Sequence, residues 1–138
     1  MTAPIEEQLR TFFEEQPENV IAAYLFGSRA RGSAGNRSDA DVAILFAQDP
    51  PRTFEGLPLG LEAELERRLG LPVQVVTLNH AYADLIHRVL RDGLLLLDRD
   101  PSRRIQFEVR ARNEYFDLQP ILRRYRKQEQ GREANRLD

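Results

Sequence analysis

The chain has 138 residues, of which 30% are charged and none is cysteine, and its mean hydropathy is -0.52. This composition excludes disulfides, thiolate zinc sites and a cysteine nucleophile, and two histidines, His80 and His87, are too few for a histidine-rich metal site. The length suits one core, the N-terminus has no secretory pattern, and the apolar runs are much shorter than a membrane span. We therefore expect a single-domain cytoplasmic protein without a membrane segment.

The net charge of -2 is unevenly distributed along the chain. Residues 1–100 hold 10 arginines against 16 acidic residues, a net charge of -6, and residues 101–138 hold 10 basic residues against 6 acidic ones, a net charge of +4. A basic segment can face RNA, an acidic partner or solvent, and solvent is the usual case for charges on a helix.

Apolar periodicity predicts three elements in the first part of the chain. They are a helix over residues 3–16, a buried strand over 20–26 and a second strand over 40–46. Thr2 is the expected N-cap of the helix, and Pro17 marks its end. The loop 32–38 consists of small and polar residues and is expected to close over a ligand.

The middle of the chain predicts two further helices and two further strands. They are a helix over 57–69 ending at Gly70, a strand over 73–77, a helix capped by Asn79 and ending at Gly93, and a strand over 94–97. Tyr82 is expected to face the core on the second of these helices. His80 and His87 would lie two turns apart along one side, too far to chelate one ion, so ordinary structural roles are expected for both.

The C-terminal segment predicts a helix that Pro120 interrupts. Asp100 and Pro101 provide a cap and a first helical residue, and Ile105 and Val109 follow at helical spacing. A second, charged helix is expected from Ile121 to about residue 130, and residues 131–138 are expected to fray. The order of elements predicts an α/β (α+β) fold in which helices pack on a small mixed sheet.

The turn after the first predicted strand has the features of a phosphate site. Gly27 lets the backbone turn without a Cβ, Ser28 offers a hydroxyl, and the amides of a helical turn starting there would point at an anion. Arg29, Arg31 and Arg37 add positive charge nearby.

Two carboxylates begin the second strand. Alternation along a strand places Asp39 and Asp41 on one face and Ala40, Val42 and Ile44 on the other. Neighbouring carboxylates raise one another's pKa unless a cation lies between them, which is how Mg²⁺ is held beside substrate phosphates. The combined motifs predict a site for a nucleoside triphosphate and Mg²⁺. The alternative is a polar loop with a capping serine and two solvated carboxylates.

These motifs resemble a known family. Gly27-Ser28, Arg29, Arg31-Gly32 and residues 38–42, with the sequence Ser-Asp-Ala-Asp-Val, are similar to the signature of the minimal nucleotidyltransferases. Those proteins are relatives of polymerase beta, and the likeness is greatest to the MntA-type antitoxins. Residues 112–117 also resemble a late segment of those antitoxins. The resemblance covers most of the chain and implies one nucleotidyltransferase domain over residues 1–130, followed by the frayed tail.

The resemblance also implies an activity, the transfer of AMP from ATP to a hydroxyl with release of pyrophosphate. It assigns roles to the site residues: Gly27 and Ser28 hold the β- and γ-phosphates, Asp39 and Asp41 are the catalytic carboxylates that bind Mg²⁺, and Arg29 or Arg31 neutralises the leaving group. In the MntA-type family the acceptor is a tyrosine of a HEPN-domain ribonuclease toxin of the HepT type. We therefore expect a hetero-oligomer in which modification silences such a toxin.

The chain departs from the family pattern at Gln74. Relatives commonly carry a third metal-binding carboxylate on the strand equivalent to residues 73–77, and an amide stands there in this chain. An amide oxygen can contact a metal but cannot accept a proton, and loss of general-base help typically costs ~10²–10⁴ in rate. Two alternatives follow: an antitoxin that is catalytically weak or inactive and acts by binding alone, and a nucleotidyltransferase that acts on RNA or a small molecule.

Overall fold

The computed structural model describes residues 3–30 and 39–137, with the backbone only for Phe54 and residues 132–137. The described residues form four α-helices: α1 (Ile5–Glu14), α2 (Leu59–Leu69), α3 (Ala83–Asp92) and α4 (Pro101–Leu137). Four strands form one sheet: β1 (Val20–Phe26), β2 (Ala40–Phe46), β3 (Val73–Thr77) and β4 (Leu94–Asp98). No helix in these described ranges is both long and apolar enough to cross a lipid bilayer.

The sheet is mixed, with the strand order β3-β2-β1-β4. β1 runs antiparallel to both β2 and β4, whereas β2 and β3 are parallel. A parallel pair needs a crossover connection, and the helix α2 supplies it. The predicted architecture of helices on a small mixed sheet is confirmed.

The core has two parts, one on each face of the sheet. On one face Val42 and Ile44 of β2 pack with Phe12 of α1 and Leu65 of α2. On the other face the alternate β2 residues pack with α3 and α4, as the contacts among Ala43, Leu45, Ile86 and Ala111 show. Because successive strand residues face opposite sides, Asp41 shares the side of the sheet that α3 covers.

The first elements follow the prediction closely, and both β1 and β2 have the predicted bounds. The first helix is shorter than predicted, since it runs from Ile5 to Glu14 with Pro4 at its N-cap. Pro4 suits the start of a helix because its fixed φ and missing N–H cost nothing there. The predicted cap, Thr2, lies outside the described residues.

α2 begins at Leu59, two residues later than predicted. Leu57 is 52% exposed and lies outside the helix, because Pro58 disfavours helical geometry at the residue before it. The end of the helix is as predicted, with Gly70 in the left-handed conformation at φ +70°.

The predicted role of Asn79 as a helix cap is wrong. Its side chain instead accepts a hydrogen bond from the Phe46 N–H at 2.9 Å and donates one to the Phe46 carbonyl at 3.0 Å, which extends the pairing of β2. α3 starts later, with Tyr82 at its N-cap, and Tyr82 is 87% exposed rather than directed to the core.

The two histidines do not lie along one helix. His80 belongs to a short 3₁₀ turn, Leu78–His80, and its Nε2 lies at 2.5 Å from the Pro50 carbonyl oxygen. His87 is on α3 and stacks on the Tyr115 ring of α4, with ring centroids 3.8 Å apart. Both contacts are structural, in agreement with the expected ordinary roles.

α4 is one helix from Pro101 to Leu137, so the predicted interruption at Pro120 is wrong. Residues 131–137, for which fraying is predicted, continue the helical backbone. The start is as predicted, because Asp100 Oδ1 accepts a hydrogen bond from the Arg103 N–H. Proline in a helix interior removes one hydrogen bond, here to the carbonyl of Phe116. That part of the helix is exposed, so water can bind the carbonyl, and strong helix formers continue on both sides.

A half-buried polar cluster fixes α4 to the sheet. The Tyr24 hydroxyl donates to Glu108 Oε1 at 2.6 Å, and Arg104 lies 3.0 Å from both Glu108 and Asp98. Burial raises the pKa of Tyr24 far above its ordinary range, and Glu108 raises it further, so the phenol remains a donor. The cluster joins β1, β4 and the first turns of α4.

Candidate active site

The turn that follows β1 is shaped by Gly27. This residue has φ +76°, and a Cβ built on it would collide with Asp41 Oδ2. Phe26 pairs with Asp41 in the register of β1 and β2, which explains why the turn and the carboxylate are neighbours. Glycine is required here both for the backbone angle and for the close approach of Asp41.

Gly27→Ala is expected to lower the free energy of unfolding by about 2 kcal/mol or more. A Cβ in left-handed backbone costs roughly 1–2 kcal/mol, and the collision with the Asp41 carboxylate adds to this cost. Chemical denaturation followed by circular dichroism measures the loss. Gly70→Ala is the matched control, because its φ is +70° but a Cβ there meets nothing within 4 Å. Equal losses in the two variants would contradict the close contact between position 27 and Asp41.

The charge of Asp39 acts on the carboxyl of Asp41. Asp41 is half-buried between the fully buried residues Ala40 and Val42, and Asp39 is exposed just before β2. Burial raises the pKa of the Asp41 carboxyl, and the charge of Asp39 raises it further. A divalent cation at this position would relieve the repulsion and stabilise the ionised form.

Gln74 lies beside Asp41 on the adjacent strand. The two residues are register partners in the parallel pair of β2 and β3, so their side chains emerge on the same face of the sheet. The family resemblance implies a metal ligand at position 74, and that role stays a prediction. Two carboxylates and an amide oxygen are hard oxygen donors, which is the donor set that Mg²⁺ prefers.

Asp41 and Gln74 line a cleft of about 370 Å³, and Asp39 is not among the described lining residues. The described lining of the cleft comes from β1 and the following turn, from β2 and β3, and from α3: Phe26, Gly27, Asp41, Gln74, Val76, Leu85, Arg88 and Asp92. The sheet therefore supplies the carboxylate side of the cleft, and α3 supplies the opposite wall.

Arg88 and Asp92 are cleft residues that sequence reasoning missed. They lie one turn apart on α3, and Asp92 forms an ion pair with Arg91 at 2.8 Å. The sequence does indicate that Arg88 and Asp92 lie on the same helix face as Leu85, because positions 85, 88 and 92 have helical spacing. Only the packing of α3 against the sheet shows that this face meets Asp41.

The structure describes some of the remaining predicted site residues and not others. Ser28 and Arg29 are half-buried in the turn after Gly27. Arg31 and the loop 32–38 lie outside the described residues. Among the described side chains, no group of three or more histidine and carboxylate side chains could hold a metal ion.

Comparisons with known proteins agree with this geometry. Residues 7–102 match the family described as polymerase beta, nucleotidyltransferase. A curated relative, the protein adenylyltransferase MntA of Aphanizomenon flos-aquae (strain 2012/KM1/D3), is 30% identical over 94 residues. That match covers 63% of this chain and 63% of the relative, so the chain spans less than two thirds of the relative's length.

Two solved structures have the same fold. A chain of a toxin–antitoxin crystal structure with AMP-PNP matches with a TM-score of 0.77 and 23% identity, covering 91% of this chain and 98% of that chain. A chain of the complex of tri-AMPylated Shewanella oneidensis HEPN toxin with MNT antitoxin matches with a TM-score of 0.72 and 21% identity, covering 91% and 96%. The family match includes the turn at Gly27, the aspartate pair and the strand of Gln74. This chain belongs to the polymerase beta nucleotidyltransferase family.

Proposed function

We propose that this chain is an antitoxin that transfers AMP from ATP to a hydroxyl, that of a tyrosine, on a HEPN-type ribonuclease toxin and thereby silences it. The observation that carries the proposal is the meeting of the Gly27 turn with the Asp41 carboxylate in one cleft. The names of the relatives support it: one is a protein adenylyltransferase, and another is a complex in which a HEPN toxin is AMPylated.

In the proposed reaction the acceptor oxygen bonds to the α-phosphorus of ATP. The bond from that phosphorus to the oxygen that bridges to the β-phosphate breaks, and pyrophosphate leaves with the electron pair. Gly27 and Ser28 would hold the β- and γ-phosphates, and Arg29 or Arg31 would neutralise the leaving group. Asp39 and Asp41, with Gln74, would hold Mg²⁺, which when bound neutralises phosphate charge.

The proton of the acceptor hydroxyl must leave as the new bond forms. Gln74 cannot take it, because an amide oxygen is not a base at neutral pH. Of the described residues, the carboxylates that line the cleft are Asp41 and Asp92, and Asp92 is held by its ion pair with Arg91. With the amide at position 74, the proton passes to solvent water, and AMP transfer is expected to be slow.

Binding without catalysis is the second candidate function, and the amide at position 74 favours it. In that case the cleft would bind nucleotide or metal, and the antitoxin would inhibit its toxin by docking.

A third candidate, transfer to RNA or a small molecule, is favoured by the net charge of +4 in residues 101–138. Labelling of a co-purified HEPN-type protein with radioactive ATP separates the first candidate from the other two.

The absence of cysteine fits a reducing cytoplasm, where we place the protein.

Arg88 is expected to bind the phosphates of ATP from the α3 wall. Arg88→Ala should raise the Kd for Mg-ATP by about tenfold, since a hydrogen bond to a charged group contributes about 1.5–3 kcal/mol. Arg88→Lys should keep part of the affinity, because it keeps the charge but not the planar guanidinium. Isothermal titration calorimetry measures both. Arg67→Ala on α2 is the control, since the Arg67 side chain is 77% exposed and lies away from the cleft. Similar affinities for the Arg88→Ala and Arg67→Ala variants would remove Arg88 from the site.

A further inference from the structure

α4 is much longer than the elements that it packs on. Its 37 residues span about 55 Å at 1.5 Å per residue, whereas α3 has 10 residues. The Tyr115 ring stacks on His87 of α3. Beyond this contact, residues 118–131 form a segment that we call the α4 overhang, and Arg126 joins it to Asp84 by an ion pair at 3.3 Å.

The packing face of α4 continues into the overhang without a cover. Ala111, Leu118 and Tyr125 recur every seven residues, so they lie on nearly the same face of the helix. Ala111 is 5% exposed under α3, but Leu118 is 41% and Tyr125 61% exposed. Ile121 lies beside them and is 59% exposed. An apolar stripe that is buried at one end and uncovered at the other marks a surface for another molecule.

The charge around the stripe restricts what can cover it. Between Asp117 and Glu129 there is no acidic residue, and four basic residues lie in that interval: Arg123, Arg124, Arg126 and Lys127. A second copy of the same overhang would bring like charges together, which is unfavourable. Two of the three exposed stripe residues, Leu118 and Ile121, are aliphatic and give no stacking surface for bases. Tyr125 is the one aromatic residue of the stripe, and a single aromatic among aliphatic side chains fits a protein better than RNA.

We propose that the α4 overhang docks an acidic, amphipathic helix of the protein that carries the acceptor hydroxyl. This inference rests on the proposed function. The apolar face of that helix covers Leu118, Ile121 and Tyr125, and its acidic rim faces the arginines. α3 lies between the overhang and the cleft, since it packs on α4 and also lines the cleft with Arg88. A partner seated on the overhang is therefore held on the side of the sheet where AMP transfer would take place.

The test uses the full chain co-expressed with a HEPN-type protein. Leu118→Ser, Ile121→Ser and Tyr125→Ser are combined in one variant, which should weaken the complex about 100-fold, since apolar residues at the centre of an interface carry most of the binding energy. Size-exclusion chromatography and surface plasmon resonance measure the complex. In the AMP-labelling assay this variant should raise the KM for the partner and leave kcat unchanged.

The control variant combines Ile105→Ser, Val109→Ser and Phe116→Ser. These residues are 49%, 48% and 73% exposed on a different face of the same helix, so their loss should leave the complex intact. Circular dichroism checks that α4 remains helical in both variants. Equal weakening by the two triple variants, or no weakening by the overhang variant, would overturn the docking surface.

The remaining outcomes separate this inference from the proposed function. If the overhang variant still binds and labels the partner like wild type, the surface is wrong and the proposed function stands. If wild type neither binds nor labels the HEPN-type protein, the proposed function fails together with the surface. If the overhang variant keeps the complex but loses a single-stranded RNA oligonucleotide that wild type retains, the overhang is an RNA surface and the inference is wrong.

Discussion

Asp39→Asn combined with Asp41→Asn is expected to reduce AMP transfer by about 10³-fold or more. The two carboxylates are the charged donors that would hold Mg²⁺ beside the phosphates, and a metal contributes several kcal/mol to the stabilisation of charge in the transition state. At 1.36 kcal/mol per tenfold change, a loss of three orders of magnitude corresponds to about 4 kcal/mol. Transfer of radioactive AMP to the HEPN-type partner gives the rate.

The same variant should fold at least as well as wild type in the absence of Mg²⁺. The pKa of Asp41 is raised in the folded protein by burial and by Asp39, so ionised Asp41 opposes folding at neutral pH. Removing the charge removes this destabilisation. The destabilisation is largest at pH values above the raised pKa of Asp41 in the folded protein, and it disappears at pH values below the ordinary pKa of an aspartate. Glu18→Gln, at an exposed position outside the cleft, is the control for a change of net charge. Labelling by the double variant at the wild-type rate would show that the aspartates are not the catalytic pair.

Gln74→Asp is expected to raise AMP transfer by ~10²-fold. Position 74 is the register partner of Asp41, so an aspartate there adds a third carboxylate on the same face of the sheet. That carboxylate can bind metal and can accept the proton of the acceptor hydroxyl, neither of which the neutral amide does as well. Initial rates of labelling at saturating Mg-ATP measure the effect, and the gain should appear in kcat.

Gln74→Asn is the matched control for this substitution, because it has the length of aspartate without the charge. It should label no faster than wild type. If neither wild type nor Gln74→Asp labels the partner while both inhibit its ribonuclease activity, the chain acts by binding alone. Equal and fast labelling by wild type and Gln74→Asp would show that position 74 is not the third ligand position and that the base lies elsewhere, for which Asp92 is the described candidate in the cleft.

The candidate site could be predicted from local sequence because its parts are local. Gly27 ends an apolar strand, and Asp39 and Asp41 precede and begin another, so alternation alone placed both carboxylates on the face opposite to Val42. The antiparallel register that brings Asp41 to the Gly27 turn follows once the two strands pair. The proposed ligand role of Gln74 came from the family resemblance and not from alternation.

The errors arose where a residue's partner is distant in sequence. Asn79 has a favourable side chain for capping a helix, but the exposed end of β2 offers it two hydrogen bonds to Phe46, thirty-three positions away. Pro120 has a strong local tendency to end a helix. The helix nevertheless continues, since the loss of one hydrogen bond in an exposed segment does not outweigh the helix formers on either side.

The sequence by itself determined the strands, the glycine turn and the aspartate pair, because alternation, backbone angle and charge are properties of neighbouring residues. The tertiary structure alone decided that Arg88 and Asp92 of α3 face Asp41, and that the face of α4 buried at Ala111 is uncovered at Leu118 and Tyr125. Those facts depend on which helix packs where and how far it extends beyond its neighbour. No pattern within α3 or α4 contains that information, because packing is a relation between surfaces that the chain brings together only when it folds.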